Sequence, residues 1–239
     1  MRTESIPYEV RGERYVGYVA YPDQASGAGV LIAGEGSGLG PQVKERAHAL
    51  AELGYVAFAL DYVGEGKVLV EVPAMMARLA ALRADLDHVR ALGRAGLDQL
   101  LSCPGVDKLR VAAIGYCFGG QLALELARDG AKLACTVTFH AMLTARDHEG
   151  AKNIHGKVLA CCGAEDPLVP PEQRLAFEAE MRAGAVDWQL HVYGGAKHGF
   201  ANPNANASGI AAVAYNLAAH QRSWRSMLAM FSETLVDDG

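Results

Sequence analysis

The chain has 239 residues, 51% hydrophobic and 21% charged, the balance of a folded protein with ample core material rather than of a disordered one. Its 22 Lys and Arg against 27 Asp and Glu give a formal net charge of −5. No short window concentrates basic residues, which argues against a nucleic-acid binder, whose basic face must displace counterions from phosphate. No apolar stretch reaches the roughly 18 residues needed to cross a bilayer, and residues 1–8 lack the apolar core of a secretory signal, so the expectation is a cytoplasmic protein with no membrane partner.

In chain order, residues 14–21 (RYVGYVAY) read as an early strand, followed by 29–33 (GVLIA), 55–62 (YVAFALDY), 110–117 (RVAAIGYC), 135–140 (CTVTFH), 157–162 (KVLACC) and 188–193 (WQLHVY). Several are short continuous apolar runs, the signature of strands covered on both faces. Helical spacing fills the gaps. Residues 41–53 carry Val43, Ala47, Leu50 and Leu53; residues 75–101 carry Leu79, Leu82, Leu86, Val89 and Leu92. A third helix spans 121–128 and is closed by Gly130, a fourth runs from the Pro pair at 170 to 182, and a fifth covers 210–235. In this last segment Trp224, Met227, Met230 and Phe231 are assigned to the core rather than to a partner chain; a monomer and a homodimer both fit. Strands alternating with helices predict the α/β class, a mostly parallel twisted sheet with helices on both faces, as one domain over residues 1–239. Chemistry in such a sheet gathers beyond the carboxyl ends of the strands, at loops that begin near Gly34, Gly64, Gly115, His140, Gly163 and Gly194.

There are five cysteines, at 103, 117, 135, 161 and 162; none forms a C-x-x-C pair or a zinc-like group with histidine. Reduced thiols are expected, most of them small buried hydrophobes. Cys117 stands apart. It sits in Gly115-Tyr116-Cys117-Phe118-Gly119-Gly120, after the apolar run 111–114 and before a helix. This is the strand–turn–helix setting of a nucleophile elbow, G-x-S-x-G, with cysteine for serine. Side chains at Gly115 and Gly119 would collide with the strand and helix packed around the turn. At a helix N-terminus the free N–H groups and the positive dipole end favour a thiolate. The bland alternative is a bystander cysteine in a glycine-rich turn.

A nucleophile needs a base and an orienting acid. Asp166 lies in the loop past Cys161 and Cys162, before Pro167, and His198 lies in Gly194-Gly195-Ala196-Lys197-His198-Gly199 after the last strand. Each has an ordinary explanation alone, as a turn residue or a surface histidine. Together they give the nucleophile–acid–histidine order of the α/β-hydrolases, each on its own post-strand loop. The remaining histidines (48, 88, 140, 148, 155, 191 and 220) read as surface or core residues, His140 alone ending a strand where it could face the site. The loop Gly34-Glu35-Gly36-Ser37-Gly38-Leu39-Gly40 is a weak nucleotide signal, but in this fold it supplies one oxyanion-hole N–H, here Gly36, with Phe118 supplying the other.

The motifs G-Y-C-F-G-G, G-E-G, G-x-x-D-P-x-V-P and A-K-H-G-F, spread over nearly the whole chain, resemble the dienelactone hydrolase family of α/β-hydrolases. The resemblance implies a Cys117–Asp166–His198 triad, oxyanion amides at Gly36 and Phe118, and neither metal nor organic cofactor. It also implies a role for Glu35, which in the family holds the resting thiol and takes its proton when substrate binds. The sequence departs from the family in two places. An arginine expected four residues after the histidine is Asn202, and a second falls to Arg78 or Arg83. Gly36 and Ser37 replace bulky residues after the loop glutamate, which suggests a roomier mouth. Loss of a bidentate carboxylate clamp points away from dienelactone and toward small activated esters or lactones, with aryl phosphotriesters as further electrophiles. Three rival readings are a Glu–Cys–His site like that of the glutamine-amidotransferase-like proteins, a redox- or electrophile-sensing thiol protein on the same fold, and a thioesterase or acyltransferase. The first is disfavoured because its nucleophile is followed by histidine, whereas Cys117 is followed by Phe118.

Overall fold

A computed structural model describes residues 1–145 and 149–236. The chain opens with a hairpin of β1 (Arg2–Val10) and β2 (Glu13–Tyr21), joined through Arg11 and Gly12 at φ 52° and 80°. Two successive residues at positive φ make the turn whose twist matches that of the flanking strands. β1 was not expected from the sequence. It is an edge strand in which only Tyr8 and Val10 are buried, so it carries little apolar signal, and Pro7 is a residue that edges tolerate.

The next four strands are buried at every residue: β3 (Gly29–Ala33), β4 (Val56–Leu60), β5 (Val111–Tyr116) and β6 (Cys135–Phe139). β7 (Lys157–Gly163) and β8 (Trp188–Tyr193) complete one sheet in the order β1-β2-β4-β3-β5-β6-β7-β8. The β1–β2 and β2–β4 pairs are antiparallel and the other five are parallel. On one face α1 (Pro41–Glu52) and α6 (Leu217–Thr234) set Val43, Leu50, Met227 and Phe231 against Val30, Ile32 and Ile114. The final helix therefore packs on the sheet, as expected. Alternate strand residues, Leu31, Phe58 and Ala113 among them, meet α3 (Leu86–Ser102) and α4 (Phe118–Arg128) on the other face, where α5 (Pro171–Ala183) also lies.

The single helix expected over 75–101 is two, α2 (Val72–Ala84) and α3, divided at Asp85. The Asp85 carboxylate accepts from His88 N at 2.9 Å and so caps α3, ending one helix and starting another where apolar spacing alone runs on. α6 begins at Leu217 rather than 210. The segment before it straps the His198 loop, with His198 N donating to Ala212 O at 3.1 Å and Ala214 N to His198 O at 2.9 Å. Among the described residues no helix is long and apolar enough to cross a membrane.

Candidate active site

β5 delivers Cys117 to the carboxyl end of the sheet, and α4 begins at the next residue. Cys117 holds φ 53° and ψ −121°, a backbone conformation that costs an L-residue on the order of 1–3 kcal/mol and persists only where its surroundings impose it. The surroundings are backbone. A Cβ on Gly115 would stand 2.1 Å from Gly119 O, and one on Gly119 2.2 Å from Ala33 O, so both positions require glycine. Cys117 N donates to Phe139 O at 3.0 Å, which ties the turn to β6. In the first turn of α4, Gly120 N donates to Cys117 O at 3.1 Å, while Phe118 and Gly119, at its first two positions, have no preceding helical turn to accept from their N–H groups.

The loops after β7 and β8 bring Asp166 and His198 to that thiol. His198 Nε2 lies 3.1 Å from Cys117 Sγ, and His198 Nδ1 donates to Asp166 Oδ2 at 2.8 Å. Asp166 Oδ1 accepts from Leu168 N at 2.9 Å, so both carboxylate oxygens are fixed. Burial alone would push the His198 imidazole down. The hydrogen bonds from Asp166 and Cys117, with their charges, outweigh it and hold the imidazole up at about 10. A thiol, a histidine with raised proton affinity and a buried carboxylate thus stand in line, suited to moving a proton from sulfur to nitrogen.

Opposite the elbow, Glu35 and Gly36 lie in the loop after β3. Tyr62, at the end of β4, donates its hydroxyl to Gly34 O at 3.2 Å and also to Glu35 O, while its ring packs 5.3 Å from that of Phe118. Tyr62 thereby joins the two segments expected to form the oxyanion hole. The sequence reading placed it in a strand without a role, since nothing local marks a tyrosine that reaches another strand's loop. The place a side chain would take at Gly36 is filled by α2, with Leu79 Cδ1 at 2.9 Å and Met75 Sδ at 3.0 Å, whereas Ser37 lines a cavity of about 170 Å³ together with Glu35 and Asn202.

The structure pairs the thiol with His198, not with Glu35. Glu35 Oε2 accepts from Asn202 Nδ2 at 2.6 Å, and Glu35 Oε1 faces His140 Nε2 at 3.5 Å. Burial pushes the Glu35 carboxyl above the usual carboxylate range, against the hydrogen bond from Asn202 and the charges of His198 and Arg46. His140 is fully buried, and its ring stands edge-on to that of His198 with centroids 5.1 Å apart. It therefore belongs to the site, the position its place at a strand end left open to it. Arg78 donates to Tyr62 O at 2.9 Å and Arg83 lies over the Phe118 ring at 5.6 Å. Cys103, Cys135, Cys161 and Cys162 are buried, whereas Cys117 is partly exposed. His148 lies outside the described residues. Among the described residues no group of three or more His, Cys, Asp or Glu has the arrangement of a metal site.

The sheet order and the elbow make this an α/β-hydrolase fold. The model of the dienelactone hydrolase family matches residues 16–235, and the chain belongs to that family. It is similar to the protein named usf of Aquifex pyrophilus, at 27% identity over 98% of this chain and 99% of that one. Two solved structures superpose with TM-scores of 0.94 and cover 98% of both chains. One, named m3DLH, is 43% identical. The other, a dienelactone hydrolase-like promiscuous phosphotriesterase from metagenomic libraries, is 38% identical.

Proposed function

We propose that the protein hydrolyses small activated esters or lactones through nucleophilic attack by Cys117. The observation that carries this reading is the line Cys117 Sγ–His198 Nε2–Asp166, at 3.1 Å and 2.8 Å, mounted on a strained elbow at a helix N-terminus. The proton that left sulfur resides on His198 as sulfur bonds to the carbonyl carbon. The negative charge that forms on the carbonyl oxygen is met by the N–H groups of Phe118 and Gly36. Collapse expels the alkoxide, which leaves with the proton from His198 and gives an acyl-thioester on Cys117. Water then attacks the thioester as His198 accepts its proton, and the thiol is regenerated by the reverse transfer. Asp166 holds the imidazole in the tautomer that presents Nε2 to sulfur.

Asn202 in place of the clamping arginine supports neutral substrates over dienelactone, since an amide offers no bidentate charge to a carboxylate. The 38%-identical neighbour's phosphotriesterase activity supports aryl phosphotriesters as secondary substrates, attacked by the same sulfur. A small molecule is the only partner the reaction needs. The test is rapid mixing with p-nitrophenyl butyrate. A p-nitrophenol burst equal to the enzyme concentration, absent in Cys117→Ala, is expected. Equal turnover by the two proteins overturns the reading and favours a binding or redox-sensing role for the thiol.

A further inference from the structure

The Arg78 side chain is engaged with the protein itself. Its Nε and Nη2 both donate to Tyr62 O, at 3.2 Å and 2.9 Å, and Nη2 also donates to the Tyr15 hydroxyl at 3.3 Å. Tyr15 gives its own proton to Glu13 Oε2 at 2.8 Å, so toward Arg78 it is an acceptor. An arginine clamps a carboxylate by presenting two parallel N–H groups, from Nε and Nη2 or from Nη1 and Nη2. Both edges need Nη2, and both of its hydrogens are taken. We propose that Arg78 is a positioning residue that fixes the Gly36 N–H through Tyr62, and not a group that clamps a substrate carboxylate.

The chain of contacts is short. Tyr62 is fully buried just past β4, where a carbonyl has no ladder partner and needs a donor. Among the described residues Arg78 is that donor. Asp61 holds the backbone that follows, its Oδ1 accepting from Val63 N and Gly64 N at 2.9 Å and its Oδ2 from Gly66 N at 2.7 Å. With its backbone held in this way, Tyr62 carries the constraint through its hydroxyl to Gly34 O and Glu35 O, the carbonyls just before Gly36. The same face of α2 reaches Gly36 directly, because Met75 and Leu79, which close on it, share that face with Arg78. Arg83, the other arginine of α2, lies over the ring of Phe118, the residue that carries the second amide. Arg78 thus acts on the carbonyl-oxygen pocket from behind, without touching the reacting atoms.

The kinetic arm of the test rests on the hydrolase reading, whereas the exchange arm does not. In Arg78→Met, amide hydrogen exchange across residues 34–40 is expected to quicken about threefold or more, with β6 and β7 unchanged. Unchanged exchange at 34–40, or an equal rise throughout the chain, overturns the proposal whatever the protein hydrolyses. In turnover, Arg78→Met is expected to lower kcat about tenfold for both 4-acetoxybenzoate and its neutral methyl ester, with each KM within about twofold of wild type. A rise in KM confined to the anionic ester, with kcat kept, would mean that Arg78 binds a substrate carboxylate. Adding Tyr62→Phe is expected to cost little beyond either change alone, because both act through one tyrosine; a combined loss of about 100-fold would show that they act separately. Arg78→Lys keeps the charge and one donor and is expected to fall between wild type and Arg78→Met. Should the methionine variant fail to fold, the lysine variant takes its place in both arms.

Discussion

Helix α4 carries one concentration of charge at each end, and the two are built on opposite terms. At its C-terminal end the buried Arg128 is held by four hydrogen bonds. It donates to Glu180 Oε1 at 2.8 Å, Glu180 Oε2 at 2.6 Å, Glu125 Oε1 at 2.9 Å and Leu143 O at 2.9 Å. A cation there also suits the negative end of the helix dipole. At the N-terminal end the N–H groups of Phe118 and Gly119 have no preceding helical turn to accept from them, the sulfur is partly exposed, and the backbone is held at φ 53°. Both ends contain ionisable side chains buried against the sheet, so burial of charge does not separate a structural cluster from a working one. What separates them is how many of the donors and acceptors are already spoken for.

The contrast can be broken from either side. The largest effect expected is from Asp166→Asn, which exchanges an acceptor for a group able to donate to His198 and favours the wrong tautomer. kcat/KM for p-nitrophenyl butyrate is expected to fall about 10³–10⁴-fold, an effect on turnover that outruns the stability lost with the Asp166–His198 pair. Arg128→Met should do the reverse, since it strands the carboxylates of Glu125 and Glu180. A loss of about 3–5 kcal/mol in urea unfolding is expected, with turnover per folded molecule unchanged. Comparable damage to turnover at full stability would show that the Arg128 end is not merely structural. Tyr62→Phe tests the tie between the elbow and the facing loop. About a tenfold fall in kcat, with about 1 kcal/mol of stability lost, is expected from freeing the Gly34 and Glu35 carbonyls.

The last is a pH trend. The His198 imidazole rises from its usual 6.5 to about 10, so its contribution to stability is complete below pH 6.5 and is lost as pH climbs toward 10. The stability gap between wild type and His198→Gln, followed by urea unfolding, should narrow across that window, while the gap for Arg128→Met should stay flat. A His198→Gln gap that stayed constant or widened would show that the imidazole is not held protonated by its partners.

The strands from β3 to β7 were legible because burial on both faces leaves unbroken apolar runs, and the elbow because sterics dictate its glycines. Cys117 and Asp166 could be placed on their loops because each follows such a run, and His198 because its glycine-flanked loop follows the last strand; the structure brings all three together. The features that pattern concealed are those set by single contacts or by distant backbone. β1 lies at an edge with two buried residues. The α2–α3 break depends on one carboxylate at Asp85, and the residues before α6 are held by hydrogen bonds to the His198 loop rather than by helical periodicity. Tyr62 and His140 were legible as residues but not as members of the site. Their partners, the Gly34 and Glu35 carbonyls and the Glu35 carboxyl, come from a loop far away in sequence, and no spacing rule reports such a meeting. Asn202 was visible as a departure, but its hydrogen bond to Glu35 was not.

The elbow has a consequence for how such a protein can change over time. The atoms that force the turn belong to residues 115, 119 and 33, and the side chain at 117 contributes nothing to that constraint. The perch and the reacting atom are thus separable inheritances. A serine at 117 would occupy the same perch at no cost to the backbone, so a lineage can exchange the chemistry of its nucleophile in a single step, whereas any side chain at either glycine dismantles the perch itself.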